Sequence, residues 1–351
     1  MLTMEFLRLQ CETYPQLQPE DLLKGLHQSV FGCGHFVSEQ AEEYLRKELE
    51  GLEGSVGPEV EPLPGDFCRV HLRYLEKYGL AAKTLFRLFW LSGIEQTGNA
   101  AQIEEKLEVL LRMASAQQLP MAYGEVRGLV DEWRKAGYPA CHHSDRFRRI
   151  YKPAYRVIRK EYARFLPLFA AIDRKLAAGQ RVLLAIEGGA AAGKSTLAQL
   201  LNHVYDCSVA HMDDFFLRPE QRTAQRLEEA GGNVDRERFL QEILLPLSRG
   251  EAVQYRRYNC GTGAIEDPKP LSVTPLTVVE GAYSMHPELR DHYDLSLFLK
   301  IAPKLQRQRI MGRNSPPMQQ RFFEEWIPME QRYFEVLQVE DACDLVFAIG
   351  G

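Results

Sequence analysis

Residues 188–195 read Gly-Gly-Ala-Ala-Ala-Gly-Lys-Ser, which satisfies G-x-x-x-x-G-K-[ST] without a gap. The spacing has a physical reason. Glycine lets the backbone turn sharply and aim consecutive N–H groups at one anion. The lysine after the second glycine adds a full positive charge, and the hydroxyl that follows is a ligand for Mg²⁺. Such a loop works between a strand and a helix, so that the positive end of the helix also faces the anion. Both neighbours are predicted here. Arg181-Val-Leu-Leu-Ala-Ile186 is a short continuous apolar run, the pattern of a strand buried on both faces. Leu197, Leu200, Leu201 and Val204 fall at i, i+3, i+4 and i+7, one face of an amphipathic helix. Gly188, Gly189, Ala190, Ala191, Ala192, Gly193, Lys194, Ser195 and Thr196 are therefore the expected phosphate-binding segment, for ATP with Mg²⁺.

Further apolar runs follow at Cys207 to Met212, Leu276 to Val279, Leu295 to Ile301 and Leu345 to Ile349, with helical stretches between them. Strands alternating with helices predict an α/β unit, a parallel sheet flanked by helices on both faces. Residues 1–178 have a different texture. Apolar residues recur at helical spacing over Ala41 to Leu52, Leu72 to Leu91 and Ile103 to Met113. Gly51 to Asp66, with four glycines and three prolines, predicts a loop. Residues 146–162 carry Arg148, Lys152, Arg156 and Arg159 in one stripe and Tyr155, Ile158, Tyr162 and Phe165 in another, expected as a helix with Pro153 near its start. An aromatic stripe in the core and a basic stripe in water explain that pattern more simply than RNA binding does. The expected organisation is a mostly α-helical domain at 1–178 and a P-loop domain at 179–351.

Composition excludes several classes. At 351 residues and 45% hydrophobic residues the chain can build two full cores. A formal charge of −5 argues against a nucleic-acid partner. No apolar run approaches the eighteen or so residues that span a bilayer, so no membrane association is expected. The N-terminus lacks the basic flank of a signal peptide. Seven scattered cysteines, with no CxxC, read as reduced thiols of a cytoplasmic protein. His27, Cys33, His35, Cys68, His71, Cys141, His142 and His143 show no ordered four-ligand spacing, so core thiols and hydrogen-bonded imidazoles are expected rather than a metal centre.

A nucleotide site also needs carboxylates. Asp213 and Asp214 follow the run Cys207 to Met212, and Glu280 follows Leu276 to Val279. A parallel sheet delivers such strand ends to one edge. Asp213 is the candidate general base for a substrate hydroxyl. Glu280, with Ser195 and Asp213, is the candidate Mg²⁺ set. After Leu295 to Ile301, Arg309 and Arg313 stand i, i+4 on one helix face, suited as lid arginines to a γ-phosphate. Arg307, Arg321 and Arg332 are weaker candidates for the same role.

This order of motifs resembles the uridine kinase and phosphoribulokinase group of P-loop kinases, which also includes bacterial pantothenate kinases. The resemblance covers roughly residues 180–349 and rests on Gly188 to Thr196, Asp213-Asp-Phe-Phe216 and Val278-Val-Glu280-Gly281. It implies Asp213 as the catalytic Asp, with Asp214 in place of the usual small residue. Gly232 to Phe239 resembles the family's Asp-containing stretch before its next helix. The resemblance also places Asp214, Phe216, Tyr255, Arg257 and Tyr258 on the substrate side. One departure stands out: the family's His-Ser-Arg stretch is absent, and Asn259-Cys-Gly-Thr-Gly-Ala-Ile-Glu266 occupies the region. The expected activity is γ-phosphate transfer to the hydroxyl of a small molecule. A nucleoside is the first candidate, with pantothenate-like and sugar-phosphate acceptors also open. The competing reading is a nucleotide-dependent switch whose helical domain binds a protein or RNA. For residues 1–178 the sequence leaves open a cap over the acceptor, dimerisation into a homo-oligomer, or another binding role.

Overall fold

The computed structural model describes residues 1–33, 41–52, 56–94 and 98–350. The chain divides into two compact units, Met1–Arg174 and Lys175–Gly351.

The second unit is built on a five-stranded parallel sheet with the strand order 345–349, 295–301, 182–188, 276–280, 208–211. Of the three inner strands, Val182–Gly188 and Leu276–Glu280 are buried at every position. Helices covering both faces produce the continuous apolar runs seen in the sequence. Register places Glu280 opposite both Ile186 and His211, and Leu299 opposite Gly188. The carboxyl ends of four strands therefore converge where the chain leaves Gly188. The helix Lys194–Tyr205 buries Leu197, Leu200, Leu201 and Val204, the stripe expected from their spacing.

The first unit is mostly helical, but it also holds a three-stranded antiparallel sheet, ordered 60–62, 67–71, 155–159. This corrects several expectations. The stretch read as a loop, Gly51 to Asp66, contains the strand Val60–Pro62. The helix expected over Ala41 to Leu52 ends at Leu49. The one over Leu72 to Leu91 is two helices, Arg73–Tyr78 and Ala82–Ile94, parted by Gly79 in a left-handed cap (φ 72°). The largest correction falls on residues 146–162. One helix runs over Asp145–Tyr151, capped by Ser144, whose Oγ accepts from Phe147 N, and a single turn follows at Lys160–Ala163. The first stops at Lys152, at φ 44°, immediately before Pro153, and Tyr155–Arg159 is a strand. Proline disfavours helical geometry in the residue before it, and β-branched Val157 and Ile158 suit a pleated surface. The basic stripe is thus divided between a helix and a strand and is not one helix face.

Cys33 Sγ lies against Val157 O (3.4 Å) and Cys68 Sγ against Ile158 O (3.6 Å), both buried. His35 lies outside the described residues. Among the described residues no group of three or more His, Cys, Asp or Glu is placed to hold a metal ion, and no helix is long and apolar enough to cross a membrane.

Candidate active site

The loop between Gly188 and Lys194 takes its shape from left-handed backbone. Gly188 has φ 140° and Gly193 φ 101°. A Cβ on Gly188 would stand 2.6 Å from Leu299 O, so only glycine fits between the two strands there. Ala191 holds φ 61° with a side chain, a conformation that costs an alanine on the order of 1 kcal/mol. Gly193 opens the helix Lys194–Tyr205, which aims its positive end back at the loop. Lys194 Nζ donates to Gly188 O (2.7 Å) and Gly189 O (3.1 Å).

The acidic side of the site comes from the neighbouring strand ends. Ser195 Oγ donates to Glu280 Oε1 at 3.2 Å, and His211 Nδ1 meets the same oxygen at 2.6 Å. The Glu280 contact raises the His211 pKa, against the opposing effect of burial. Asp213 sits in the 3₁₀ turn Met212–Phe215 at the end of the strand Ser208–His211. Its side chain reaches solvent, yet protein crowds it, and that desolvation holds its carboxyl above the usual range. Lys194 pulls the other way, Glu280 adds to the rise, and His211 and Asp214 contribute less. Gly281, at φ 142°, lets the chain after Glu280 pass the residue before Asp213: a Cβ there would lie 2.6 Å from Met212 Cβ.

The helix Pro303–Arg313 reaches the loop from the other side. Arg309 Nη1 donates to Ala191 O (2.8 Å) and Ala192 O (3.4 Å), and Gln306 Nε2 to Ala190 O (3.0 Å). Arg313 shares that helix, and its guanidinium lies 5.9 Å from the centroid of the Phe322 ring. Arg307 and Arg321 stack on Phe323 and Trp326, and Arg332 donates to Glu228 O. The segment that follows Arg313 includes a π-helical turn, Phe322–Trp326, before the helix Ile327–Val336.

The residues expected on the substrate side form a separate cluster. Buried Asp214 is bonded by Arg257 Nε (3.1 Å), Lys269 Nζ (3.1 Å) and Tyr255 Oη (3.2 Å). Tyr255 and Tyr258 are themselves buried, and Tyr255 stacks on Phe215. Phe216 is part-buried, packed on the same core. Asp235 caps the short helix Arg236–Phe239, accepting from Arg238 N. Asn259 to Glu266 forms a small hairpin, Tyr258–Asn259 against Ala264–Ile265.

Sequence reasoning passed over three residues at the loop. Glu187, fully buried, accepts from Gly188 N (2.9 Å), Met285 N (3.1 Å), Tyr333 Oη (3.1 Å) and Ser284 Oγ (3.3 Å). Burial outweighs these donors and pushes its carboxyl up to about 7. A charge within an apolar run was the available signal for it. Glu330 Oε2 accepts from Ala190 N at 2.8 Å, and burial raises its carboxyl too, against the pull of Lys194. His211 completes the set.

The fold and loop define the second unit as a P-loop architecture, a parallel sheet flanked by helices with the glycine-rich loop leaving its middle strand. No family model matches the chain, and no curated protein matches it. Solved structures do. A Bacillus stearothermophilus protein, provisionally described as a uridine kinase, is 20% identical over 51% of this chain and 98% of its own, with a TM-score of 0.37. A Silicibacter protein, provisionally described as a fructose transport system kinase, is 20% identical over 48% of this chain and 90% of its own, at 0.40. Shikimate kinase from Bacteroides thetaiotaomicron is 13% identical over 48% and 86%, at 0.27. Likenesses at this level say nothing of substrate.

Proposed function

We propose that this chain is an ATP-dependent phosphotransferase that moves the γ-phosphoryl group to a hydroxyl of a small molecule, a nucleoside being the first acceptor to try. One observation carries the reading. Ser195, Glu280 and Asp213 lie at the phosphate loop and the ends of two adjacent strands, with Ser195 and Glu280 in contact at 3.2 Å. A hydroxyl and two carboxylates are hard oxygen donors, which fit Mg²⁺. When bound, that ion would neutralise phosphate charge.

The chain's own groups divide the remaining work. Backbone N–H groups of Gly193 to Thr196 and the Lys194 ammonium hold the phosphates. Asp213 takes the acceptor's hydroxyl proton as that oxygen bonds to the γ-phosphorus and ADP leaves with the bridging oxygen. Its raised pKa brings it closer to the working range of a base. Arg309, which already reaches the loop, is better placed than Arg313 to meet charge on the transferred group. Seven free cysteines suit a reducing, cytoplasmic setting.

The test is ADP release from ATP and Mg²⁺ with a panel of nucleosides, pantothenate-like alcohols and sugar phosphates. Strong stimulation by one acceptor is expected. Turnover indifferent to every acceptor would overturn the reading, and nucleotide-dependent capture of a protein or RNA would put a switch in its place.

A further inference from the structure

A second site lies wholly within Met1–Arg174. A cavity of about 370 Å³ is lined from the helices Pro19–Phe31, Ala41–Leu49 and Ala82–Ile94 and from the strand Tyr155–Arg159. That volume is within the range of small-molecule sites, about 300–1,000 Å³. Its walls are mainly apolar, with Tyr44, Phe89 and Val157 among them.

Lys24 is the cation of this cavity with no bonded acid among the described residues. Lys24 is 8% exposed, and its Nζ donates to Cys141 O at 3.0 Å. Asp21, a turn earlier, is committed elsewhere. Its oxygens take Gln18 N (2.8 Å), Ser144 N (3.0 Å), Ser144 Oγ (2.8 Å) and His143 Nδ1 (2.8 Å). Glu48, also in the wall, is paired with Arg156 at 2.8 Å. Among the described residues no carboxylate bonds Lys24. Buried ammonium groups ordinarily find a carboxylate or give up their charge, and burial does bring Lys24 down to about 8. Arg148, at the same cavity, is paired with Asp145.

The polar wall is also fixed in orientation. Asp21 holds the Nδ1 proton of His143, so Nε2 is left to accept from Tyr155 Oη at 2.7 Å. Burial keeps that imidazole neutral, its pKa near 4. Gln28 Nε2 donates to the same hydroxyl at 3.3 Å, and the Arg69 guanidinium lies 4.8 Å from the centre of the Tyr155 ring. A preset wall beside a cation that no described carboxylate bonds binds with little reorganisation.

We propose that this cavity binds a small organic anion, an apolar body with one carboxylate or phosphate head, with Lys24 as its buried counter-charge. The site is separate from the phosphate loop and does not depend on the kinase reading. It is tested by calorimetry on the full chain with benzoate, phenyl phosphate and inorganic phosphate. Saturable binding of benzoate or phenyl phosphate is expected, and the stronger of the two identifies the head group. Lys24→Met should weaken it about tenfold or more, the worth of a charged hydrogen bond. Lys24→Gln, which removes the charge but retains a hydrogen-bond donor, should weaken it likewise and guards against misfolding of the first variant. Lys194→Met should leave it unchanged. The proposal is overturned if neither organic anion saturates by about 10 mM. It is also overturned if both Lys24 variants bind like the parent, or if Lys194→Met abolishes binding.

Discussion

Ser195 and Glu280, 85 residues apart in the chain, meet at 3.2 Å, and the Glu280 oxygen that accepts from Ser195 also contacts His211. One carboxylate thus ties the first turn of the loop's helix to two strand ends. Glu280→Gln keeps the shape and removes the charge. We expect Mg²⁺-dependent turnover to fall about a hundredfold or more, with the Mg²⁺ requirement moved to higher concentration. ATP binding measured without Mg²⁺ should stay within about threefold.

Asp213 makes the complementary prediction. Asp213→Asn cannot take a proton, so transfer should drop about 10²–10⁴-fold. ATP affinity should barely change, because Lys194 and the loop backbone carry it. Single-turnover kinetics with equilibrium binding separates the two. Near-normal transfer in this variant would remove Asp213 as the base.

Glu187 predicts a pH dependence of stability. Its carboxyl titrates near 7 when folded, against 4.5 in an unconstrained chain. Between those values the folded protein holds a proton that the unfolded one has lost. Stability is therefore full below about pH 4.5, falls as pH rises, and levels off above about 7, by up to roughly 3 kcal/mol. Glu187→Gln should flatten this component in urea unfolding measured from pH 5 to 8. An unchanged slope would mean that the four donors around Glu187 keep it ionised.

Gly188→Ala should destabilise the second unit by roughly 2–4 kcal/mol. The new methyl meets the backbone of Leu299, and φ 140° strains any L side chain. Gly312, in the helix Pro303–Arg313, is the control. A Cβ there has nothing within 4 Å, so Gly312→Ala should be neutral or stabilising by up to about 1 kcal/mol. Chemical denaturation of the two variants side by side decides it.

The parallel sheet was readable because burial on both faces leaves continuous apolar runs, and Val182–Gly188 and Leu276–Glu280, buried throughout, stand where those runs do. Tyr155–Arg159 was not, because its aromatic and basic residues also fit a helical period. Pairing with Phe67–His71, nearly ninety positions earlier, decides the strand, and no local window contains that partner. Glu330 was invisible for the same reason, since its contact, Ala190, is 140 positions away. The loop itself was plain because its chemistry is local. The expected arginine pair was half plain: Arg309 and Arg313 share a helix, but only the packing of that helix on Ala191 and Ala192 distinguishes them.

Gly281 adjoins Glu280, and Met212 adjoins Asp213, and the two neighbours pass so closely that one methyl group would part them. The gap between the two acids is therefore gauged by a hydrogen atom that takes no part in the chemistry. A change at position 281 would reset both acids together while altering neither. Inactive variants with every acid and the lysine in place are to be sought there first.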